Sequence, residues 1–161
     1  MYARSDAMAD RVSLSPAPSF DLISRAVAVV SLVNLAVVHV IDMPDTLGPL
    51  PWVGAGYFFI IAAAMGLGVT LMIRSHWLAW AAAGVLSVGA MSGYILTRSV
   101  SGFLGDHGDV GNWRCSLGIT ALSLETVLIL LAAVHLVRRV TDATPEPARV
   151  PLPVPTYSSV R

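Results

Sequence analysis

The sequence predicts an all-α integral membrane protein, an antiparallel four-helix transmembrane bundle with both termini in the cytoplasm. Hydrophobic residues make up 55% of the 161 residues and charged residues only 12%, whereas a soluble domain carries roughly twice that share of charge. The charges are also segregated, which leaves several windows of about 20 apolar residues, the length a helix needs to cross a bilayer. Short connections between these windows favour antiparallel neighbours.

Charges and turn formers bound the four predicted spans. Asp42, Pro44 and Asp45 end the first span, and the three-residue connection 74–76 makes the second and third spans neighbours. All ten prolines fall outside the predicted spans, so we expect helices without kinks. The spans lie in a transmembrane domain of residues 20–139, and their limits are about 22–41, 52–73, 77–97 and 115–137.

The two ends of the chain are predicted to be disordered tails. Residues 1–19 are small and polar without periodicity, and residues 140–161 contain five prolines between Pro145 and Pro155. A proline-rich segment of this kind is extended rather than helical.

Arginine placement predicts the orientation, because cytoplasmic loops of membrane proteins carry an excess of basic residues. Only Arg98 and Arg114 fall on the side predicted to be external. The other side, which we therefore place in the cytoplasm, holds Arg4, Arg11, Arg25, Arg74, Arg138 and Arg139, with Arg149 and Arg161 in the tail.

Composition also limits the partners. The net charge is zero, so nothing suggests binding to nucleic acid. Cys115 is the single cysteine, which excludes an internal disulfide and a CxxC redox pair. The expected partners are the lipid bilayer and either further copies of the chain or a larger membrane complex.

Glu125 is the candidate centre of the protein, since it lies near the middle of an apolar span where an acid is costly and usually faces a bundle interior. Helical spacing places Tyr94 and Arg98 on one face of the third span. Asn34 reaches a depth similar to that of Glu125.

We predict an outward-opening polar funnel with Glu125, Asn34, Tyr94 and Arg98 as ligand-binding or protonatable residues. Its mouth would hold Asp42, His39, Tyr94 and Arg98 with Tyr57, and its floor Ser31, Asn34, Ser87 and Glu125.

The charge state of Glu125 follows from the same depth estimate. No cation is expected at its level, so we expect a neutral, protonated carboxyl group. For Ser31 and Ser87, the simpler interpretation is hydrogen bonding between helices.

His39, Asp42 and His107 form a candidate metal site, because histidine and carboxylate ligands suit zinc and similar ions. The alternative is an interfacial histidine beside a solvated loop, since these residues follow no recognised ligand spacing. A haem held by two histidines is not expected, because His39 and His135 fall at opposite ends of the bundle.

Small residues four apart on the second and third spans permit close helix approach. They are Ala62 and Gly66, Ala64 and Gly68, and Gly89 and Gly93. The contact is expected between these two spans, which the short connection holds together, with contact to another subunit as the alternative.

Three segments resemble a pattern in small four-span membrane proteins of actinobacteria. They are Tyr94-Ile95-Leu96-Thr97-Arg98-Ser99-Val100, Asp109-Val110-Gly111-Asn112-Trp113 and Leu124-Glu125. The resemblance covers roughly residues 30–138. It departs from the pattern at Ser101-Gly102-Phe103-Leu104, where the family has a Gly-Leu-Pro turn. The resemblance implies a location in the cell membrane, here a bacterial plasma membrane, and a shared set of Arg, Trp and Glu residues. It implies no activity.

Three function classes stay open. The first is a binding or accessory subunit of a membrane complex. The second is an outward-facing polar pocket that binds a metal ion, a proton or a small ligand through Glu125 and His39. The third is a membrane-embedded enzyme, which is the least favoured because no pair of nucleophile and base and no strong metal motif is visible.

Overall fold

Four helices make up most of the part of the chain that the computed structural model describes, which is residues 18–143, with side chains from residue 20. They are α1 (Pro18–Leu47), α2 (Pro51–Ile73), α3 (Trp77–Ser99) and α4 (Ser116–Asp142). Each is long and apolar enough to cross a membrane. The prediction of an all-α chain with four helices of this kind is therefore confirmed for the described residues.

Helix α1 continues past the residues that were expected to end it. It runs through Asp42 and Pro44 to Leu47, and α1 and α2 begin at Pro18 and Pro51. The prediction that all prolines lie outside the helices was therefore wrong for these three prolines, of which only Pro44 lies beyond a first turn. A proline removes the hydrogen bond to the carbonyl four residues earlier. In the last turn of α1 this loss affects one carbonyl only, that of Val40, four residues before Pro44.

Helix α1 begins at Pro18 and α4 ends at Asp142. Residues 18–19 and 140–142, which were predicted to belong to disordered tails, are therefore helical. The rest of the two predicted tails lies outside the described residues.

The helices pack in a closed order in which each contacts two others. Helix α1 packs against α2 and α4, α3 packs against α4 and α2, and α1 and α3 do not meet. The buried side chains at the centre are Ala28, Leu32, Leu35, Ala64, Leu71, Trp80 and Leu128. Large apolar side chains cover the outside, as expected of helices that face lipid.

Polar contacts join the beginning of α1 to the ends of α2 and α4. Arg25 donates from Nε and Nη2 to the carbonyls of Leu71 and Met72, each at 2.6 Å. These carbonyls lack helical partners, and a cation at a helix C-terminus is favourable. His135 of α4 stacks on Trp80 of α3 with ring centroids 3.8 Å apart, and its Nε2 lies 3.2 Å from Ser24 Oγ.

The interface between α2 and α3 is the sparsest of the four. A Cβ atom added at Gly66, Gly68, Gly89 or Gly93 would meet nothing within 4 Å outside its own helix. The prediction that these glycines bring α2 and α3 into close contact was therefore wrong. The short connection fixes only one end of this helix pair, and toward the other end a cavity separates them.

Candidate functional site

A cavity of about 900 Å³ lies between α2 and α3 and reaches inward to Glu125. Its walls come from all four helices and from the loop between α3 and α4. A volume of this size is at the upper end of the range for small-molecule sites. Its lining includes His39, Asp42, Gly56, Tyr57, Phe59, Val85, Gly89, Gly93, Tyr94, Arg98, Leu104, Gly105, Asp106, His107, Asp109, Gly118 and Glu125.

Glu125 reaches the cavity from the buried face of α4. Gly118, Ala121, Glu125, Leu128 and Ala132 are the buried residues of this helix and recur at intervals of three and four, which places them on one face. The side chain of Glu125 is among the largest fully buried ones. Its Oε2 atom has no hydrogen-bond partner among the described residues. An unpaired buried polar atom costs about 1–3 kcal/mol, so this position is unfavourable for folding alone.

Tyr94 and Arg98 stand one turn apart on α3 and contact each other. The guanidinium carbon of Arg98 lies 3.8 Å from the centroid of the Tyr94 ring. Arg98 Nη2 also pairs with Asp109 Oδ2 at 3.1 Å, and Nη1 donates to the Thr97 hydroxyl at 2.7 Å. Tyr94 Oη and Arg98 Nε are buried and have no partner in the described part of the chain. Both are donors that are free to bind an acceptor.

Gly118 makes room for the Tyr94 ring where α3 meets α4. A Cβ atom added there would overlap the Tyr94 side chain. Further along this interface, a Cβ atom added at Gly84 would lie 3.0 Å from the Ala132 side chain. Glu125 lies midway between Gly118 and Ala132 in the sequence, so it falls in the same stretch of the interface as Ser87.

Ser87, Ser31 and Asn34, the remaining predicted floor residues, do not border the cavity. Ser31 and Ser87 are buried, and Ser87 Oγ has no hydrogen-bond partner within residues 18–143. Asn34 is exposed and donates to the Val30 carbonyl of its own helix at 2.8 Å. The structure thus brings Glu125, Tyr94 and Arg98 to one cavity and leaves Asn34 outside it.

Helices α1 and α2 supply a second polar group at the cavity. Tyr57 Oη donates to Asp42 Oδ2 at 2.8 Å, and the Tyr57 ring meets His39 edge to face at 4.9 Å. His39 Nδ1 lies 2.9 Å from the Leu35 carbonyl, which can only accept, so Nδ1 carries the proton. In the neutral ring, Nε2 is then an acceptor.

His39, Asp42 and His107 all border the cavity but do not form a cluster of metal ligands. No group of three or more His, Cys, Asp or Glu side chains in the described residues is placed to hold a metal ion. His107 instead lies with Nδ1 3.2 Å from Ser101 Oγ. The positions of these three side chains therefore give no support to the predicted metal site.

The loop from residue 100 to 115 lies against the ends of the helices and borders the cavity with Leu104, Gly105 and Asp106. Trp52 Nε1 donates to the Leu104 carbonyl at 2.8 Å. Gly105 has a φ of +81° and packs against the Trp52 ring, a conformation that glycine adopts without strain. This bond and the ion pair of Arg98 with Asp109 attach the loop to α2 and α3.

Sequence reasoning missed the glycines of the cavity wall. Gly56, Gly89 and Gly93 border the cavity, and a Cβ added at any of them would meet nothing within 4 Å. Their spacing on two neighbouring helices was visible in the sequence. The same pattern predicts a close helix contact equally well, so it could not reveal a space.

No family model, no curated protein and no solved structure matches this chain.

Proposed function

We propose that this protein is a small multi-pass membrane protein that binds a small molecule in the cavity between α2 and α3. Glu125 is the main binding group, with Tyr94, Arg98 and His39 around it. The observation that carries the proposal is that three buried polar atoms without partners, Glu125 Oε2, Tyr94 Oη and Arg98 Nε, belong to side chains that border one cavity.

This arrangement fits a binding site better than a purely structural role. Buried polar groups are normally satisfied, and each exception requires an explanation. A ligand with oxygen atoms would supply an acceptor for Tyr94 and Arg98 and a partner for Glu125. Because the surroundings are apolar, each such hydrogen bond would be stronger than in water.

The proposed setting is a bacterial plasma membrane, crossed by an antiparallel bundle with both termini in the cytoplasm. The contacts of Arg25 with the end of α2 and of Asp42 with Tyr57 near the start of α2 support the antiparallel order of these helices. The arginine distribution supports the orientation. The cavity and its loop would then lie on the external side.

Native mass spectrometry tests the proposal on protein extracted from its own membrane in mild detergent. We expect a bound small molecule on the wild type that is lost in Glu125→Gln, which keeps the shape of the side chain and removes the acid. Thr126→Val, an exposed change on the same helix, is the control and should retain the adduct. An adduct of equal abundance on Glu125→Gln would contradict the proposal.

The role as a subunit of a homo-oligomer or a larger complex stays a prediction. The same spectra test it, because co-purifying chains would appear as additional masses.

A further inference from the structure

We infer that the cavity opens sideways into the bilayer between α2 and α3, and that it takes a membrane-dissolved amphiphile. The neutral, oxygen-bearing head group of this molecule would lie at Glu125, Tyr94 and Arg98, and its hydrocarbon chain would point toward the opening. This inference rests on the proposed function and specifies its ligand class and entry route.

The sideways opening follows from residues that border the cavity and are also exposed on the outside of the bundle. Phe59 of α2 is 68% exposed and Val85 of α3 is 73% exposed, yet both line the cavity. Gly56 and Gly89 have no side chain to close the gap. The surface around the opening is that of two membrane-spanning helices, so lipid chains surround it.

Polar and apolar groups occupy different sides of the cavity. The buried acid, Glu125, comes from α4, which packs on α3 and α1 and not on α2. The groups at the opening, Phe59 and Val85, are hydrocarbon. A molecule that satisfies both sides has a polar end directed into the bundle and an apolar end directed toward lipid.

The loop from residue 100 to 115 borders the cavity where α3 ends. The contacts that hold it there include the bond from Trp52 to the Leu104 carbonyl, the ion pair of Arg98 with Asp109 and the bond from the Gly111 N–H to the Arg98 carbonyl. Arg98 and Asp109 also balance each other's charge. The free donor at Arg98 therefore favours a neutral acceptor, such as a hydroxyl or carbonyl oxygen, over a full anion.

The length of the cavity suits one hydrocarbon chain. From Tyr94 to Val85 the cavity follows nine residues of α3, or about 13 Å along the helix axis. Half of the hydrocarbon core of a bilayer is about 15 Å thick. A chain that reaches from Glu125 into one leaflet would span a similar distance.

Two carbodiimides that differ in solubility test this entry route. Dicyclohexylcarbodiimide dissolves in lipid and EDC in water, and both add to a protonated carboxyl group to give a covalent adduct. In sealed vesicles containing the full chain, peptide mass mapping should find Glu125 modified by dicyclohexylcarbodiimide and not by EDC. Modification by EDC alone would establish entry from water and overturn the inference while leaving the cavity and the proposed function intact. No modification by either reagent would contradict the cavity itself.

Filling the opening provides a matched pair of variants. Gly89→Leu adds a side chain at the opening, where its Cβ has free space, and should slow modification of Glu125 by about tenfold, because the side chain occupies the route. Gly66→Leu is the control, since Gly66 has the same free space and does not border the cavity. Equal slowing by both variants, or by neither, would overturn the sideways route.

Protection experiments test the ligand class. Decanol has a hydroxyl head and a hydrocarbon chain, so it should protect Glu125 from dicyclohexylcarbodiimide, whereas decane and glycerol each lack one of the two parts and should not. Protection by glycerol would assign the site to a polar solute. Protection by decane would show that the head group is not recognised, and either result would overturn the inference.

Discussion

At the scale of single residues, Glu125 is the position where stability and binding conflict. Its side chain is only 1% exposed and Oε2 has no partner within residues 18–143, so the group costs free energy when the cavity holds no ligand. Functional sites are often retained at such a cost. The sequence alone located this residue, because an acid in an apolar span is visible without a structure.

Replacing Glu125 should therefore stabilise the fold while removing the binding site. Glu125→Leu exchanges an unpaired polar group for an apolar side chain of similar size, and we expect the free energy of unfolding to rise by about 1–3 kcal/mol. Denaturation in mixed micelles, followed by helical circular dichroism, measures this change. Thr126→Leu, at an exposed neighbouring position, should leave stability nearly unchanged. A loss of stability in Glu125→Leu would mark Glu125 as a structural partner instead.

Gly118 offers a second test at this scale. Alanine at this position would overlap the Tyr94 ring, so Gly118→Ala should destabilise the protein by about 1–3 kcal/mol. Gly68→Ala is the matched control, because Gly68 is also buried but has free space around its Cβ position. It should stabilise the helix by up to about 1 kcal/mol, the intrinsic preference for alanine over glycine.

The double variant Gly118→Ala with Tyr94→Ala shows whether the overlap is the cause. In the Tyr94→Ala background, where the ring is absent, Gly118→Ala should cost little further stability. If the two losses simply add, the contact between Tyr94 and Gly118 is not what makes alanine unfavourable.

At the level of elements, the loop between α3 and α4 is held by polar contacts with α2 and α3, among them a bond from the Gly111 N–H to the Arg98 carbonyl. Its ion pair, Arg98 with Asp109, is partly buried, with side chains 12% and 38% exposed. Segments with few buried apolar contacts open more easily than helices in a core. The sequence identified Arg98 and the loop, but it could not pair Arg98 with Asp109, because loop glycines such as Gly102, Gly105 and Gly111 allow many backbone paths.

Removing the charge of Asp109 should loosen this loop without unfolding the helices. In Asp109→Asn we expect faster hydrogen exchange over residues 100–115, corresponding to a loss of about 1 kcal/mol or less for a partly exposed ion pair. Mass-resolved hydrogen exchange measures it by segment. Asp45→Asn is the control, since Asp45 forms no ion pair with another described residue. Unchanged exchange in Asp109→Asn would show that the ion pair does not hold the loop.

For the whole molecule, composition was enough to predict four helices long and apolar enough to cross a membrane. The rotation of each helix about its own axis, which decides the face it turns toward its neighbours, was not predictable. The faces of α3 and α4 were found from the spacing of Tyr94, Arg98 and Glu125. Asn34 was predicted to lie in the floor of the polar funnel, but it lies outside the cavity. The prediction used its depth along α1, and depth does not determine which side of α1 faces the cavity. The cavity between α2 and α3 could not be predicted from the sequence. Its existence depends on how far apart the two helices pack, and a pattern of residues does not specify that distance.

The orientation in the membrane is a prediction at the same scale. A cysteine introduced at Val110 in the loop should react with a membrane-impermeant maleimide added outside intact cells. A cysteine at Ser75, between α2 and α3, should react only after the membrane is opened. Each would be introduced with Cys115→Ser, so that the native thiol does not react. The reverse labelling pattern would invert the orientation and place the loop in the cytoplasm.

An experimental density map of the protein in lipid nanodiscs tests most directly whether a small molecule binds at Glu125. We predict density for a small molecule between α2 and α3 that begins at the Glu125 carboxyl group and extends toward Phe59 and Val85. The same map of Glu125→Leu should lack it. A map in which α2 and α3 close against each other, or in which a helix of a second copy fills the space, would contradict the account.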